Sequence, residues 1–188
     1  MVISMRIISG KHRSRIIKMV GIETTRETTD KVRGAIFNLI SFKRPEGIVL
    51  DLFSGSGAMG LEALSRGYDF AYFNDLNKKA YLTTKDNITS LGYTNSSMLT
   101  NLDYKKALEG YKKKFNVVFL DPPYKLDCCN EIIKYIDDNN LLEDDGLIVC
   151  EVESNTTINE TDNLEIIKER EYGIRKVFVL KRRDFNEI

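Results

Sequence analysis

Short apolar runs alternate with segments of helical spacing along most of the chain. Four runs have the length and side-chain pattern of buried strands: residues 48–50, 70–73, 115–120 and 147–150. Apolar positions recur every three or four residues over 58–66, 78–91, 104–111 and 128–139, which predicts helices, and a weaker strand is predicted near 97–101. The runs at 164–169 and 175–181 predict a closing antiparallel pair. This alternation predicts an α/β domain with a mainly parallel sheet covered by helices on both faces.

The first 44 residues have a different pattern. Two runs rich in β-branched residues, 2–9 and 13–19, flank Ser9-Gly10-Lys11-His12 and predict a β-hairpin. A helix is predicted over 29–42, with N-cap residues from Thr28-Thr29-Asp30. Pro45-Glu46-Gly47 then interrupts the chain. We therefore expect a small extension, residues 1–44, followed by one domain, residues 45–188.

The net charge of zero conceals an uneven distribution of charge. Residues 1–33 contain eight Lys/Arg and three Asp/Glu, and residues 168–183 contain seven and two, so each segment carries +5. The stretch between them contains 13 basic and 21 acidic residues. Two basic ends fit a protein that binds a polyanion on one side, and they fit two solvated surface segments equally well.

Cysteine and histidine usage excludes several kinds of chemistry. The three cysteines, Cys128, Cys129 and Cys150, include no C-x-x-C pair, which argues against a disulfide framework and a zinc site. The single histidine, His12, lies in a basic stretch, so a Ser-His or Cys-His catalytic pair is not expected.

No apolar run approaches the roughly 18 residues that span a membrane. The N-terminus lacks the pattern of a secretion signal, so we expect a cytoplasmic protein.

A glycine-rich loop follows the first strand of the predicted domain. Residues 48–60 read IVLDLFSGSGAMG, in which Gly55 begins a G-x-G-x-x-G pattern between a strand and a helix. Asp75 follows Gly55 by 20 residues, where a carboxylate can accept hydrogen bonds from ribose hydroxyls. These features alone leave open a nicotinamide dinucleotide, S-adenosylmethionine, or a plain glycine turn. Asp51 favours S-adenosylmethionine, because a carboxylate there repels a pyrophosphate and suits a sulfonium and an ammonium. Asp103 could meet the adenine amino group or cap the helix that follows it.

The strand over 115–120 runs directly into Asp121-Pro122-Pro123-Tyr124. Two consecutive prolines stiffen the backbone and remove two N–H donors. The Asp121 side chain and the Pro122 carbonyl can then hold an –NH₂ group by both hydrogens and direct its lone pair at a methyl donor. Tyr124 offers a flat face for stacking a flipped-out base, although a simple strand-ending turn is an alternative. The motif predicts methylation of a planar amino group and does not choose guanine over adenine.

With these residues in view, the chain resembles the RsmD-type family of bacterial 16S rRNA guanine-N2 methyltransferases. The similarity is carried by Met5 to Lys11, Arg26 to Arg33 with Phe37-Asn38, Leu50 to Gly57, Gly60 to Gly67, and Asp121 to Tyr124. The resemblance implies a class I, Rossmann-like fold with a seven-stranded, mostly parallel sheet. It also implies S-adenosylmethionine as methyl donor without a metal, and a loop guanine of 16S rRNA as acceptor. We expect the enzyme to bind 16S rRNA within an assembling 30S particle. We also expect it to be a monomer and to have no membrane partner.

The resemblance also implies roles for individual residues. Asp121, Pro122, Pro123 and Tyr124 would be catalytic. The cofactor would be held by Thr28, Thr29, Asp30, Asp51, Phe53, Gly55, Gly57, Asp75, Leu76 and Asp103. The positive charge of the N-terminal segment beside the cleft predicts that Arg6, Lys11, Arg13, Arg15 and Arg33 contact the RNA.

Four other functions remain open at this point. A DNA adenine-N6 methyltransferase shares both motifs but usually carries a sizeable target-recognition region, for which 188 residues leave no room. A protein-glutamine methyltransferase typically has Asn where Asp121 stands. An RNA-binding assembly factor without catalysis would have no use for both Asp51 and Asp75 in a cofactor cleft. A nicotinamide-dependent oxidoreductase fits the glycine loop and does not explain the D-P-P-Y motif.

Overall fold

The computed structural model describes residues 5–21, 29–123 and 125–184. The predictions for Thr28 and Tyr124 therefore lie outside the described residues. The strands are β1 (Met5–Arg6), β2 (Ile16–Ile17), β3 (Ile48–Asp51), β4 (Phe70–Asn74), β5 (Ser97–Thr100), β6 (Phe115–Leu120), β7 (Leu142–Glu153), β8 (Leu164–Tyr172) and β9 (Arg175–Arg182). The helices are α1 (Asp30–Leu39), α2 (Ala58–Arg66), α3 (Lys78–Ser90), α4 (Tyr104–Gly110) and α5 (Cys129–Asp138).

Seven strands form one sheet in the order β5-β4-β3-β6-β7-β9-β8. The first five of these are parallel, and β9 runs antiparallel to both β7 and β8. The predicted seven-stranded, mostly parallel α/β sheet is confirmed. β7 is longer than the predicted run of 147–150, because its polar first half does not show as an apolar pattern but continues the ladder with β6 from Leu142.

Alternate residues of the parallel strands face two separate cores. Val49 and Val117 lie in one cluster with side chains of α1 and α2, whereas their neighbours Leu50 and Val118 lie in a second cluster with side chains of α4 and α5. Strands covered on both faces lose the two-residue polar alternation of a half-exposed strand. This double burial explains why the strands read as continuous apolar runs.

The N-terminal hairpin is tied to α2 and α3 by its backbone. The Ile8 and Ser9 amides donate to the Glu62 carboxylate at 2.8 and 3.0 Å, and the His12 amide donates to Ser65 Oγ at 2.9 Å. Its two strands are only two residues each, shorter than the predicted runs, because helix side chains accept hydrogen bonds that a strand partner would otherwise take. The hairpin is therefore a docked element of the fold.

The division into residues 1–44 and 45–188 stays a prediction. The structure adds that Met5, Ile7 and Phe37 lie in the same apolar cluster as Val49 and Leu61. Burial of these side chains holds the N-terminal segment against the sheet. Within the described ranges, no helix combines the length and apolar character needed to cross a bilayer.

Candidate active site

Parallel strands bring the predicted acidic residues to one edge of the sheet. Asp51 ends β3, Asp75 follows β4, and Asp121 follows β6. These three strands are neighbours in the order β4-β3-β6, so their carboxyl ends lie side by side. A crevice at the carboxyl ends of parallel strands is the general ligand site of open α/β sheets.

The glycine loop has backbone conformations that require glycine. Gly55 and Gly57 have φ values of +55° and +81°, in the left-handed region that side chains other than glycine rarely adopt. A Cβ on Gly55 would meet no atom of the described residues within 4 Å, so these residues leave space beside the loop for a ligand. A Cβ on Gly57 would lie 3.0 Å from Thr84 Cγ2, so the second glycine is needed for close packing against α3.

Two side chains of α3 hold this loop in place. Thr84 Oγ1 donates to the Gly55 carbonyl at 2.8 Å, and Asn87 Nδ2 donates to the Ser56 carbonyl at 2.8 Å. Asn87 also exchanges two hydrogen bonds with the backbone of Lys18 in the hairpin segment, at 2.8 and 2.9 Å. Neither residue stands out in the sequence, because their partners lie 29 to 69 positions away and no local pattern marks such contacts.

Asp51 is buried beneath the loop. Its Oδ2 accepts a hydrogen bond from the Gly60 amide at 3.0 Å. Burial raises the pKa of Asp51 to about 7; the nearby charge of Asp75 acts in the same direction, and the Gly60 hydrogen bond opposes it. A carboxyl group with a pKa near neutrality responds strongly to a positive charge placed beside it.

Asp75, which follows β4, connects the end of that strand to the glycine loop. Its Oδ2 accepts from the Gly55 amide at 2.9 Å, and its Oδ1 accepts from the Asn77 amide at 2.8 Å. Burial raises the pKa of Asp75, while both hydrogen bonds act to lower it. Leu76, the next residue, is 68% exposed, an apolar surface beside the carboxylate. Asn101 fixes this turn by donating to the carbonyls of Asp75 and Leu76 at 2.7 and 2.9 Å.

Asp103 caps α4. Its Oδ1 accepts a hydrogen bond from the Lys105 amide at 3.0 Å, which is the alternative role considered for this residue. The adenine contact of Asp103 stays a prediction. Phe53 is half-buried, with its ring centroid 5.7 Å from that of Tyr104, the first residue of the same helix.

The acceptor motif lies at the neighbouring strand end. Asp121 is half-buried and Pro122 is buried. The Pro123 carbonyl accepts a hydrogen bond from the Leu126 amide at 2.8 Å, which turns the chain toward α5. A cavity of about 450 Å³ opens beside Pro122 and Pro123. The structure thus places the D-P-P segment between the glycine loop and a cavity.

One predicted RNA contact is wrong. The Arg33 side chain is fully buried, with Nη2 2.8 Å from Asp30 Oδ1 and Nε 3.6 Å from the buried Glu62 carboxylate. It also donates to the Arg6 carbonyl. Arg33 cannot reach a phosphate because it neutralises Glu62, the residue that holds the hairpin, and a buried charge is retained only with such a partner. Asp30, predicted to close over the cofactor, pairs with Arg33 and, at 3.7 Å, with Arg6.

The other predicted RNA contacts lie on the surface. Arg6, Lys11, Arg13 and Arg15 are all exposed. Exposure is a requirement for phosphate contact and does not demonstrate it, so their role stays a prediction. Thr29 serves as the N-cap of α1, where its hydroxyl accepts from the Val32 amide at 3.3 Å.

Comparison with known proteins identifies the family. A family model described as "Conserved hypothetical protein 95" matches residues 5–181. The Ribosomal RNA small subunit methyltransferase D of Haemophilus influenzae is 32% identical over 173 residues, which cover 90% of this chain and 89% of that protein. The YlbH protein of Bacillus subtilis is 39% identical over 183 residues, covering 95% and 100%. The chain belongs to the RsmD-type methyltransferase family.

A solved structure agrees with this assignment. The yhhF protein from Escherichia coli has a TM-score of 0.84 and 30% identity, and the match covers 96% of this chain and 98% of that one. The part of the chain that matches the RsmD-type family model extends from the hairpin to β9, so it includes the glycine loop and the D-P-P-Y motif. Among the described residues, no group of three or more His, Cys, Asp or Glu side chains is arranged to hold a metal ion.

The sequence pattern also gives no sign of a buried ion pair near the D-P-P segment. Glu151 and Arg175 are both buried and pair directly at the carboxyl end of β7. In the sequence, Arg175 is one of the seven basic residues of the segment 168–183. Nothing in the local pattern distinguishes it from its neighbours, because the antiparallel pairing of β7 with β9 sets Arg175 opposite Glu153, two residues from its ion-pair partner Glu151.

Proposed function

We propose that this chain transfers a methyl group from S-adenosylmethionine to the exocyclic N2 amino group of a guanine in 16S rRNA. The observation that carries the proposal is that Asp121 and Pro122 follow β6, next to the strand ends that carry Asp51, the Gly55 loop and Asp75. Relatives named Ribosomal RNA small subunit methyltransferase D support small-subunit rRNA as the substrate. The choice of guanine and of its N2 atom rests on the family resemblance.

The residues of the glycine loop fit the proposed cofactor. Gly55 leaves open space for close approach, and Asp75 keeps acceptor capacity for ribose hydroxyls because each carboxylate oxygen has two lone pairs. The exposed Leu76 side chain provides an apolar surface for the adenine ring. Asp51 would provide a counter-charge for the α-ammonium group. S-adenosylmethionine bound there would supply an activated methyl group on its sulfonium sulfur.

The D-P-P segment would orient the acceptor. Asp121 and the Pro122 carbonyl accept the two hydrogens of the amino group, which turns the nitrogen lone pair toward the methyl carbon. Positioning of this kind supplies much of the rate of a methyl transfer, since reacting groups held in line can gain about 7–11 kcal/mol. Asp121 would also take the proton that the nitrogen loses. No histidine or metal is required for these steps.

The hairpin would hold the RNA backbone. Arg6, Lys11, Arg13 and Arg15 are exposed on an element that is attached through Asn87 to the glycine loop. Cationic side chains that contact phosphates fix the register of a nucleic acid on a protein. We extend the proposal to an assembling 30S particle as the natural form of the substrate and to a monomeric enzyme.

The test is methylation with labelled S-adenosylmethionine. Naked 16S rRNA, small subunits that lack the modification, and DNA are incubated separately, and the labelled nucleoside is identified. We expect N2-methylguanine from one of the rRNA substrates. N6-methyladenine, or label in DNA alone, would contradict the proposal.

Asp121→Ala isolates the role of the acceptor motif. We expect methylation to fall by about a hundredfold or more, because a preorganised contact to the reacting group is lost. Cofactor affinity, measured by calorimetry, should change by less than about twofold, because the cofactor is held by other residues. Asp144→Asn, an exposed carboxylate in the first half of β7, is the matched control and should retain activity. Equal rates in Asp121→Ala and the unaltered protein would refute the role of Asp121.

A further inference from the structure

A cavity at the carboxyl ends of β6 and β7 is not explained by cofactor binding. Its volume is about 450 Å³, within the range of about 300–1,000 Å³ that is usual for small-molecule sites. Pro122 and Pro123 form one wall together with residues 126–130, and the other wall comes from the segment 151–159. The D-P-P segment therefore lies directly against it.

The charge of the cavity lining determines what it can accept. Among its fourteen described lining residues there is no lysine, arginine or histidine, whereas Asp127, Glu151 and Glu153 carry carboxylates. The remaining polar side chains are asparagines and threonines. Such a lining disfavours phosphate and favours a neutral group that presents hydrogen-bond donors. A nucleobase edge is a group of this kind.

Glu153 is the last residue of β7, at the edge of the sheet where the D-P-P segment follows β6. β6 and β7 are parallel, and Leu120 pairs with Cys150. β6 ends at Leu120 whereas β7 continues to Glu153, and Pro122, Pro123 and Glu153 line the same cavity. Glu153 is half-buried at this edge.

The backbone around Glu153 is held on both sides. The Glu153 carbonyl accepts from the Thr156 amide at 2.9 Å, and the Ser154 amide donates to the Ile174 carbonyl at 3.0 Å. The loop that follows is fixed to α5 by Asn130, which donates to the Thr157 carbonyl at 2.9 Å. These contacts fix the backbone that carries the Glu153 side chain at the edge of the cavity.

The other two carboxylates are less suited to contact a base. Glu151 is 3% exposed and is ion-paired with the buried Arg175, so its charge is already neutralised. Asp127 is exposed on the opposite wall, at the start of the segment that leads into α5. Glu153 is the carboxylate that is both partly accessible and next to the D-P-P segment.

We propose that Glu153 accepts the N1–H of the target base and thereby selects guanine over adenine. This inference rests on the proposed function. It names a residue for the choice between guanine and adenine, which the D-P-P-Y motif alone leaves open. Guanine presents N1–H beside its N2 amino group, so one edge offers adjacent donors to Asp121 and to Glu153. Adenine presents an unprotonated N1 acceptor beside its amino group, and a carboxylate facing that atom would leave two acceptors unpaired.

The test compares two bases that share the reacting amino group. 2-Aminopurine keeps the exocyclic 2-amino group of guanine but carries an unprotonated N1. RNA with guanine or 2-aminopurine at the methylated position is assayed with the unaltered protein, with Glu153→Gln and Asp127→Asn, and with the control Asp144→Asn. We expect the unaltered protein and the control to prefer guanine in kcat/KM by about tenfold or more. In Glu153→Gln this preference should fall toward unity, mainly through slower methylation of guanine, with unchanged cofactor affinity.

Each outcome is decisive. An unchanged preference in Glu153→Gln overturns the role of Glu153 while leaving the proposed function intact. Equal use of both bases by the unaltered protein shows that N1–H is not read, and also overturns it. Loss of the preference in Asp127→Asn instead of Glu153→Gln assigns the contact to the opposite wall. Absence of any guanine methylation, or methylation of adenine, refutes the proposed function itself.

Discussion

Cofactor binding should depend on pH through a single buried carboxyl group. Asp51 is 4% exposed, and burial raises its pKa to about 7 when no cation lies beside it. If the α-ammonium of the cofactor pairs with the ionised form, binding must remove the proton from Asp51. Affinity is then expected to rise with pH until Asp51 is ionised in the free protein.

The size of the effect follows from this pKa. When only the ionised form binds the cofactor, protonation of Asp51 multiplies the apparent dissociation constant by 1 + 10^(pKa − pH). With the pKa of Asp51 at about 7, the factor is about 11 at pH 6 and about 1.3 at pH 7.5. The affinity for S-adenosylmethionine should therefore increase about eightfold between these two values.

Calorimetric titration in two buffers of different ionisation enthalpy measures both the affinity and the proton release. Asp51→Asn cannot ionise, so its affinity should be lower at pH 7.5 and nearly constant across this range. An affinity of the unaltered protein that is independent of pH, or a profile of Asp51→Asn that rises equally, would refute the pairing of Asp51 with the cofactor.

The free protein should show the opposite dependence in its stability. The pKa of Asp51 is higher in the folded chain, at about 7, than its ordinary value of 3.8. The native state then binds more protons than the unfolded state between these values, so the free energy of unfolding falls as pH rises through that window. Asp51→Asn should remove this loss and be more stable than the unaltered protein at pH 7.5 without cofactor.

Two further predictions concern the hairpin and the glycine loop. Arg13→Gln/Arg15→Gln should weaken rRNA binding and lower the slope of log Kd against log salt by about 1.4–1.8, since each phosphate contact contributes about 0.7–0.9. The control Lys134→Gln, on α5, should leave that slope unchanged, and an unchanged slope in the double variant would contradict the proposed contact. Gly60→Ala would place a Cβ 2.2 Å from Cε1 of the buried Phe73 ring, so it should destabilise the fold by about 1–3 kcal/mol in denaturant unfolding. A midpoint equal to that of the unaltered protein would show that the ring can move aside.

The sequence by itself determined the class of fold and the chemical character of the site. Buried parallel strands must be apolar on both faces, so the runs at 48–50 and 115–120 identified the central strands directly. The requirement for positive φ at Gly55 and Gly57 is likewise a local property of the chain. Strand ends were predictable because Asp51 and Asp121 follow apolar runs immediately.

Only the tertiary structure decided which charges are available to a ligand. Arg33 and Arg13 belong to the same basic segment, yet one is buried against Glu62 and the other is exposed. Glu151 and Glu153 are two residues apart, and Arg175 forms an ion pair with the first although the strand register sets it opposite the second. Burial and ion pairing arise from contacts between distant segments, and these contacts leave no periodic trace in the chain. The sequence therefore predicts the chemistry of the site, and the packing of the sheet determines which charged side chains are accessible to a ligand.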